Sequence, residues 1–345
     1  MIKNNPISIQ IGKDKTQIIK GIAILLMVAH HCLIGEFYLK PDPFLSTLFG
    51  HKLVSLTKMC VGLFTFFVGY GYFFSSQNKV SYTIQHITKL LKNYWIVLFL
   101  IAIPLSVINK VVNGGGYHID VQNVILNAFG LKHGLCLGNW YICFYAYALL
   151  ILPLIKRLMR KNEIVMTIGI IVICAVMNSF CRNTGVLMEV ISNCLFYTPV
   201  LAVGYLCAKT QILTKIGNYI PGKLAWLLIC IVTIACRTYA GGSLFHINLD
   251  TFATPVVVAS VCAFITGYER GYVAKALSKL GSLSVMIWFV HCLFFSDATR
   301  RLFQDNMFWP DSLILVYLFV LVASVVVSIP LSKLASKIPA VNKQK

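Results

Sequence analysis

The 345-residue chain is poor in charge: Asp, Glu, Lys and Arg make up 12% of it, where a soluble domain carries about 25%. Acidic residues are scarcer still, 11 against 30 basic ones. Among the twelve cysteines there is no C-x-x-C pair, and no Cys/His run has metal-ligand spacing. Scattered mostly through apolar stretches, they read as small core residues and not as a disulfide framework. The polar start, residues 1–17, leads into an apolar run without a small-residue cleavage signature, so the first helix is expected to be retained. Low-complexity segments and short-period repeats are missing, and no stretch is long enough for a soluble enzymatic domain. What is present is apolar: 58% hydrophobic residues and a mean hydropathy of +0.78. The chain reads as an all-α, polytopic integral membrane protein.

A span needs about 20 mostly apolar residues. The sequence offers ten, near 17–39, 56–76, 90–112, 137–156, 163–181, 186–208, 222–240, 252–269, 281–299 and 312–333. The run Val121–Phe129 is too short to cross and is expected at the interface or as a re-entrant piece. With ten spans both termini lie on one side. Placing them in the cytoplasm puts 21 of the 30 basic residues inside, with only Asp14, Glu163 and Glu269 of the acidic ones, which leaves +18 inside against +1 outside. The positive-inside rule is then obeyed loop by loop. The excess positive charge needs no nucleic acid to explain it; orientation and anionic lipid suffice.

The segment Lys20 to Cys32 is an apolar helix with a cation at its start and His30-His31 deep inside. Eleven residues turn an α-helix through about 1100°, so Lys20 and His31 share a face roughly 16 Å apart, and His30 points about 100° away. An ionisable group at that depth is a functional-site candidate, although a histidine satisfied by a neighbouring helix is the plainer alternative. A second deep histidine, His291, lies ten residues past Gly281 in the ninth span and is reached from the same side at nearly the same depth. Imidazole takes and gives protons near neutral pH, which suits general acid–base chemistry. Two histidines alone do not make a metal site. Lys89 and Lys92, three apart on one helical face, could join Lys20 in a cationic cluster for phosphate, or serve as snorkelling anchors. Gly62 to Phe74 carries small residues that allow close helix packing. Glu36, Glu189 and Asp297 fall near outer ends of spans, where they could line an acceptor cleft or simply be solvated.

Taken together, Lys20-Gly21-Ile22-Ala23-Ile24-Leu25-Leu26 with His31 resembles the first helix of the membrane acyltransferase-3 family. Phe66-Phe67-Val68-Gly69-Tyr70 is similar to its second helix, and Trp140-Tyr141 to the start of its fourth. Gly281 through His291 resembles its late Gly-x-x-Ser…His segment. Lys89-Leu90-Leu91-Lys92 stands where the family usually has Arg-x-x-Arg, and lysine replaces a planar fork by a point charge. The proline that commonly follows is missing from Asn93-Tyr94-Trp95. The resemblance covers nearly the whole length.

What it implies is a membrane O-acyltransferase. The enzyme would move an acetyl or similar short acyl group from a cytosolic thioester, acetyl-CoA as co-substrate, to a hydroxyl of a cell-surface or lipid-linked polysaccharide. No bound cofactor and no metal are expected. Lys20, Lys89 and Lys92 would hold the acyl donor. His31 would act as general base or as acyl carrier, and His291 would orient it or share its proton. The expected organisation is a cytoplasmic segment 1–16, a ten-helix domain 17–333 and a cytoplasmic tail 334–345, in a bacterial-type cytoplasmic membrane. The rival reading is a proton-coupled transporter or flippase for a glycan or small molecule, with the histidines as a relay. Its usual pointer, internal symmetry between two halves, is not found. A third is an enzyme-like fold that only binds or senses a glycan.

Overall fold

The computed structural model describes residues 9–40, 42–75, 80–114, 117–132, 134–136, 140–181, 186–220, 222–305 and 309–339. Its first half comprises α1 (Lys13–Cys32), α2 (Leu48–Thr57), α3 (Met59–Phe74), α4 (Val80–Val97), α5 (Ile103–Asn113), α6 (Val121–Ala128), α7 (Trp140–Leu158) and α8 (Glu163–Phe180). There follow α9 (Val186–Thr210), α10 (Ile212–Gly217), α11 (Lys223–Tyr239), the hairpin β1 (Ser243–Leu244) and β2 (Ile247–Asn248), α12 (Asp250–Ile265), α13 (Tyr272–His291), α14 (Arg300–Gln304) and α15 (Leu313–Lys337). The two antiparallel strands are the whole of the sheet among the described residues.

Among the described residues, seven helices or helix pairs are long and apolar enough to cross a membrane: α2–α3, α4–α5, α7, α8, α9, α13 with its extension to Phe294, and α15. Three of the ten expected spans fall outside that set. The first, α1, opens with Lys13, Asp14, Lys15 and Lys20; α11 has only 17 residues; α12 is apolar but only 16 residues long. The ninth also differs from its expected limits of 281–299. The helix starts at Tyr272, because Lys275 and Lys279 are exposed helix formers that extend it by two turns. It ends at His291 and tightens into a 3₁₀ turn, Cys292–Phe294. His31 is likewise the last residue but one of α1. Both histidines therefore sit at the ends of their helices and not in the middle of them.

Two glycine contacts set the spacing of the bundle. A Cβ on Gly21 would stand 2.0 Å from the Leu277 carbonyl oxygen of α13, and one on Gly281 would stand 2.0 Å from the Gln17 carbonyl oxygen of α1. Each helix thus uses the other's missing side chain to bring backbone against backbone. The same device joins α3 and α9, where Gly69 faces the Leu201 carbonyl and Gly204 faces that of Phe66. His31 follows Gly21 by ten residues and His291 follows Gly281 by ten, so a crossing pinned at the glycines returns the two histidines to one level.

Other elements brace this frame. The α4–α5 helix carries a wide turn at Leu98–Ala102, where the i→i+5 pattern absorbs the approach to Pro104. The short run after it is a helix, α6, capped by the Asp120 side chain on the Asn123 amide at 2.6 Å. Tyr94 Oη and Trp95 Nε1 of α4 donate to the Asn127 and Ala128 carbonyls at its far end, at 2.9 and 2.8 Å. A buried ion pair joins α11 to α12: Arg237 Nε and Nη2 donate to Asp250 Oδ1 and Oδ2 at 2.8 and 3.3 Å. Its remaining nitrogen, Nη1, donates to the Ser55 carbonyl and hydroxyl of α2. A buried charge pair with its donors satisfied holds three elements in register.

Candidate active site

At the level set by the glycines, His31 Nδ1 lies 2.6 Å from His291 Nε2, and the rings are 4.8 Å apart at 23°. His291 is fully buried, and its Nδ1 lies 2.9 Å from the Ile287 carbonyl oxygen one turn earlier in α13. A carbonyl only accepts, so His291 Nδ1 carries the hydrogen and its Nε2 is the lone pair. His31 Nδ1–H must then donate to that lone pair. Both tautomers follow from one backbone contact, and the free lone pair of His31 is on Nε2. The arrangement has the order of a general base oriented by a buried partner, with a neutral imidazole in the place of the carboxylate.

His31, His291 and Cys292 bring three potential ligand atoms within 4.8 Å of one another. The 2.6 Å separation of the imidazole nitrogens is that of a hydrogen bond, whereas two nitrogens on one zinc ion stand roughly 3.3 Å apart. The pair fits a shared proton better than a metal.

Two cavities flank this pair. One, of about 330 Å³, is lined by His30 and His31 with Lys58, Trp140, Glu189 and Asn193. The other, of about 390 Å³, is lined by Lys20, His86, Lys89, Asn93, Tyr145 and Ser284, among others. Met27, Tyr141 and Trp288 belong to the linings of both, so these three side chains form the wall between them. The Tyr141 ring is set edge-on to Trp288 at 5.1 Å.

The expected site residues separate under this geometry. Lys20 and Lys89 face one cavity, and among the described residues neither is ion-paired. Lys92 is not with them: its Nζ donates to the Ala335 and Ile338 carbonyls at 2.8 Å each, closing the last turn of α15. His30, which the helical turn directs away from His31, does hydrogen-bond elsewhere, with Nδ1 3.2 Å from the Val54 carbonyl and 3.3 Å from Thr57 Oγ1. Its ring still borders the His31 cavity. Of the three acidic candidates only Glu189 lines that cavity; Asp297 is paired with Arg300 at 3.2 Å, and the Glu36 carbonyl accepts from the same arginine.

Three participants are new. His86 joins the two lysines; its Nδ1 is held 2.9 Å from the Tyr82 carbonyl, which leaves Nε2 available. Lys58, between α2 and α3, is a cation in the lining of the His31 cavity. Its isolation at the start of an apolar run was the available signal. Trp288, three residues before His291, reads in the sequence only as one more apolar position.

The fold and site together define a helical membrane protein with an imidazole pair and a cationic cavity on either side of a thin aromatic wall. The chain belongs to the acyltransferase-3 family, whose acyltransferase-domain model matches residues 16–333. It is an acyltransferase. Comparison with curated proteins and with solved structures gave no match.

Proposed function

We propose that the protein transfers an acetyl or similar short acyl group from a cytosolic thioester, acetyl-CoA, to a hydroxyl of a cell-surface or lipid-linked polysaccharide. The observation that carries this reading is the pair of cavities with shared lining residues, two cations in one and the base in the other. In this reading the chain crosses a bacterial-type cytoplasmic membrane ten times, with residues 1–16 and 334–345 in the cytoplasm and the acyltransferase domain over 17–333. The +18 charge of one face is the support for that orientation.

Lys20 and Lys89 hold donor phosphates as charge-assisted hydrogen-bond donors, with His86 beside them. The thioester arm runs along the Lys20 face of α1 toward Met27; Lys20 and His31 are roughly 16 Å apart on that helix. The acceptor enters the other cavity, where Trp140 offers an aromatic face and Glu189 and Asn193 offer polar groups suited to sugar hydroxyls. His31 Nε2 takes the proton of the attacking hydroxyl. The imidazolium so formed keeps its Nδ1–H on His291, which positions it without carrying charge. After the C–S bond breaks, the same proton returns to the leaving thiolate.

The test is acyl transfer by the purified full-length protein in lipid vesicles, with acetyl-CoA presented on the Lys20 side. Acetyl esters on the surface polysaccharide of cells with the gene, and their loss without it, are the expected result. Vesicles that consume no acetyl-CoA with any hydroxylated acceptor would rule the reading out.

A further inference from the structure

Tyr141 stands out in the wall for a group it leaves idle. Its hydroxyl is closed off from solvent and has no hydrogen-bond partner among the described residues. The Thr65 hydroxyl, fully buried on α3, lies beside it as a hydrogen-bond candidate, but the contact between the two does not reach hydrogen-bond geometry. A buried hydroxyl without a partner is destabilising, and phenylalanine would fill the same space without that cost. The ring is held by the edge contact with Trp288 and by Phe144 at 5.4 Å. The side chain is thus fixed by its ring, with an unused donor at its tip, on the one boundary that both cavities share.

We infer that Tyr141 is a catalytic residue whose hydroxyl donates to the carbonyl oxygen of the acyl group as it crosses from one cavity to the other. This rests on the acyl-transfer reading above. Acyl transfer to a hydroxyl passes through a tetrahedral intermediate whose oxygen bears a full negative charge, and a donor already in place for it is worth most in a water-excluded site. His31 can remove the proton of the nucleophile but cannot also stabilise that oxygen, and Lys20 and Lys89 are engaged by the donor phosphates in the reading above. Tyr141 stands between.

The step balances as follows. The acceptor oxygen bonds to the carbonyl carbon and gives its proton to His31 Nε2, while the carbonyl π pair moves to oxygen and takes the Tyr141 O–H hydrogen bond. The pair then returns, the C–S bond breaks, and the thiolate takes the proton from His31 Nε2. Tyr141 loses no proton at any stage. Thr65 Oγ–H can donate to the Tyr141 oxygen during the step, which makes the phenol a better donor; Thr65 is a positioning residue. Met27, unbranched and pliable, is the part of the wall that yields to the thioester.

The experiment compares wild type, His31→Ala, Tyr141→Phe and Thr65→Val as purified full-length proteins with acetyl-CoA and one acceptor. Loss of one such donor lowers kcat by about 10²–10³-fold. Tyr141→Phe is expected to show that fall, with KM for donor and acceptor within about twofold of wild type and a melting temperature close to wild type, because no more than the contact with Thr65 is lost. Thr65→Val is expected to lower kcat by about two- to tenfold, the net weight of one neutral hydrogen bond, again with KM unchanged. Wild-type kcat in Tyr141→Phe, or a defect confined to KM, overturns the assignment while leaving His31→Ala inactive and the acyl-transfer reading intact. Should Tyr141→Phe not fold, Thr65→Val decides by the same criteria. An inactive wild type removes the acyl-transfer reading and this inference with it.

Discussion

His30 and His31 are adjacent, chemically identical and differently employed, which makes α1 its own control. Only His31 is paired with a second imidazole, so His31→Ala should lower the transfer rate by about 10²–10⁴-fold while the protein reaches the membrane in normal amount. His30→Ala removes a hydrogen bond to α2 and should retain most activity. His291→Ala should fall between, and His291→Gln, whose amide oxygen can accept from His31 Nδ1–H, should recover part of the loss. Steady-state rates on equal amounts of folded protein check all four. The lysines divide in the same way. Lys20→Ala should raise the donor KM about tenfold or more, the usual weight of a charge-assisted hydrogen bond. Lys92→Ala should leave donor KM unchanged and instead loosen the end of α15, seen as faster hydrogen exchange near Ala335.

At the scale of elements, the crossing of α1 and α13 decides whether the histidine pair exists. Gly21→Ala or Gly281→Ala would drive a methyl into a backbone carbonyl 2.0 Å away, and overpacking of this kind costs about 1–3 kcal/mol or more. Each should lower the melting temperature and uncouple His31 from His291, so that activity falls further than stability. Gly169→Ala, which meets nothing within 4 Å, should do neither. Much of this was legible beforehand. Helical period and the split between the His30 and His31 directions lie within a single apolar segment, where local sequence decides. The rest depends on partners far away in the chain. Lys92 is separated from the carbonyls it closes by some 240 residues, and no pattern around it distinguishes an anchor from a ligand. Tyr141 reads as an interfacial aromatic because an unused hydroxyl is a property of its surroundings. The early start of α13 was missed because its lysines lower the apolarity of a turn that the helix nevertheless includes.

At the scale of the whole molecule, the proposed orientation puts the exposed Lys161 on the cytoplasmic face and the hairpin tip at His246 on the other. On a background lacking the exposed Cys236, a cysteine at 161 should react with an impermeant reagent only from inside, and one at 246 only from outside. Reaction of position 161 from outside would overturn the ten-span orientation. The wall described above has a further consequence in that frame. On the acyl-transfer reading the donor cavity opens to the cytoplasm and the acceptor cavity to the far side, and the side chains common to both linings, Met27, Tyr141 and Trp288, belong to the layer that separates them. An enzyme that passes an acyl group through such a layer is a stoppered pore, and the cell's proton gradient rests on the stopper. Trp288→Ala should therefore make vesicles holding the protein leak protons, and bulky aromatics at this position guard the energised membrane as much as they shape a substrate.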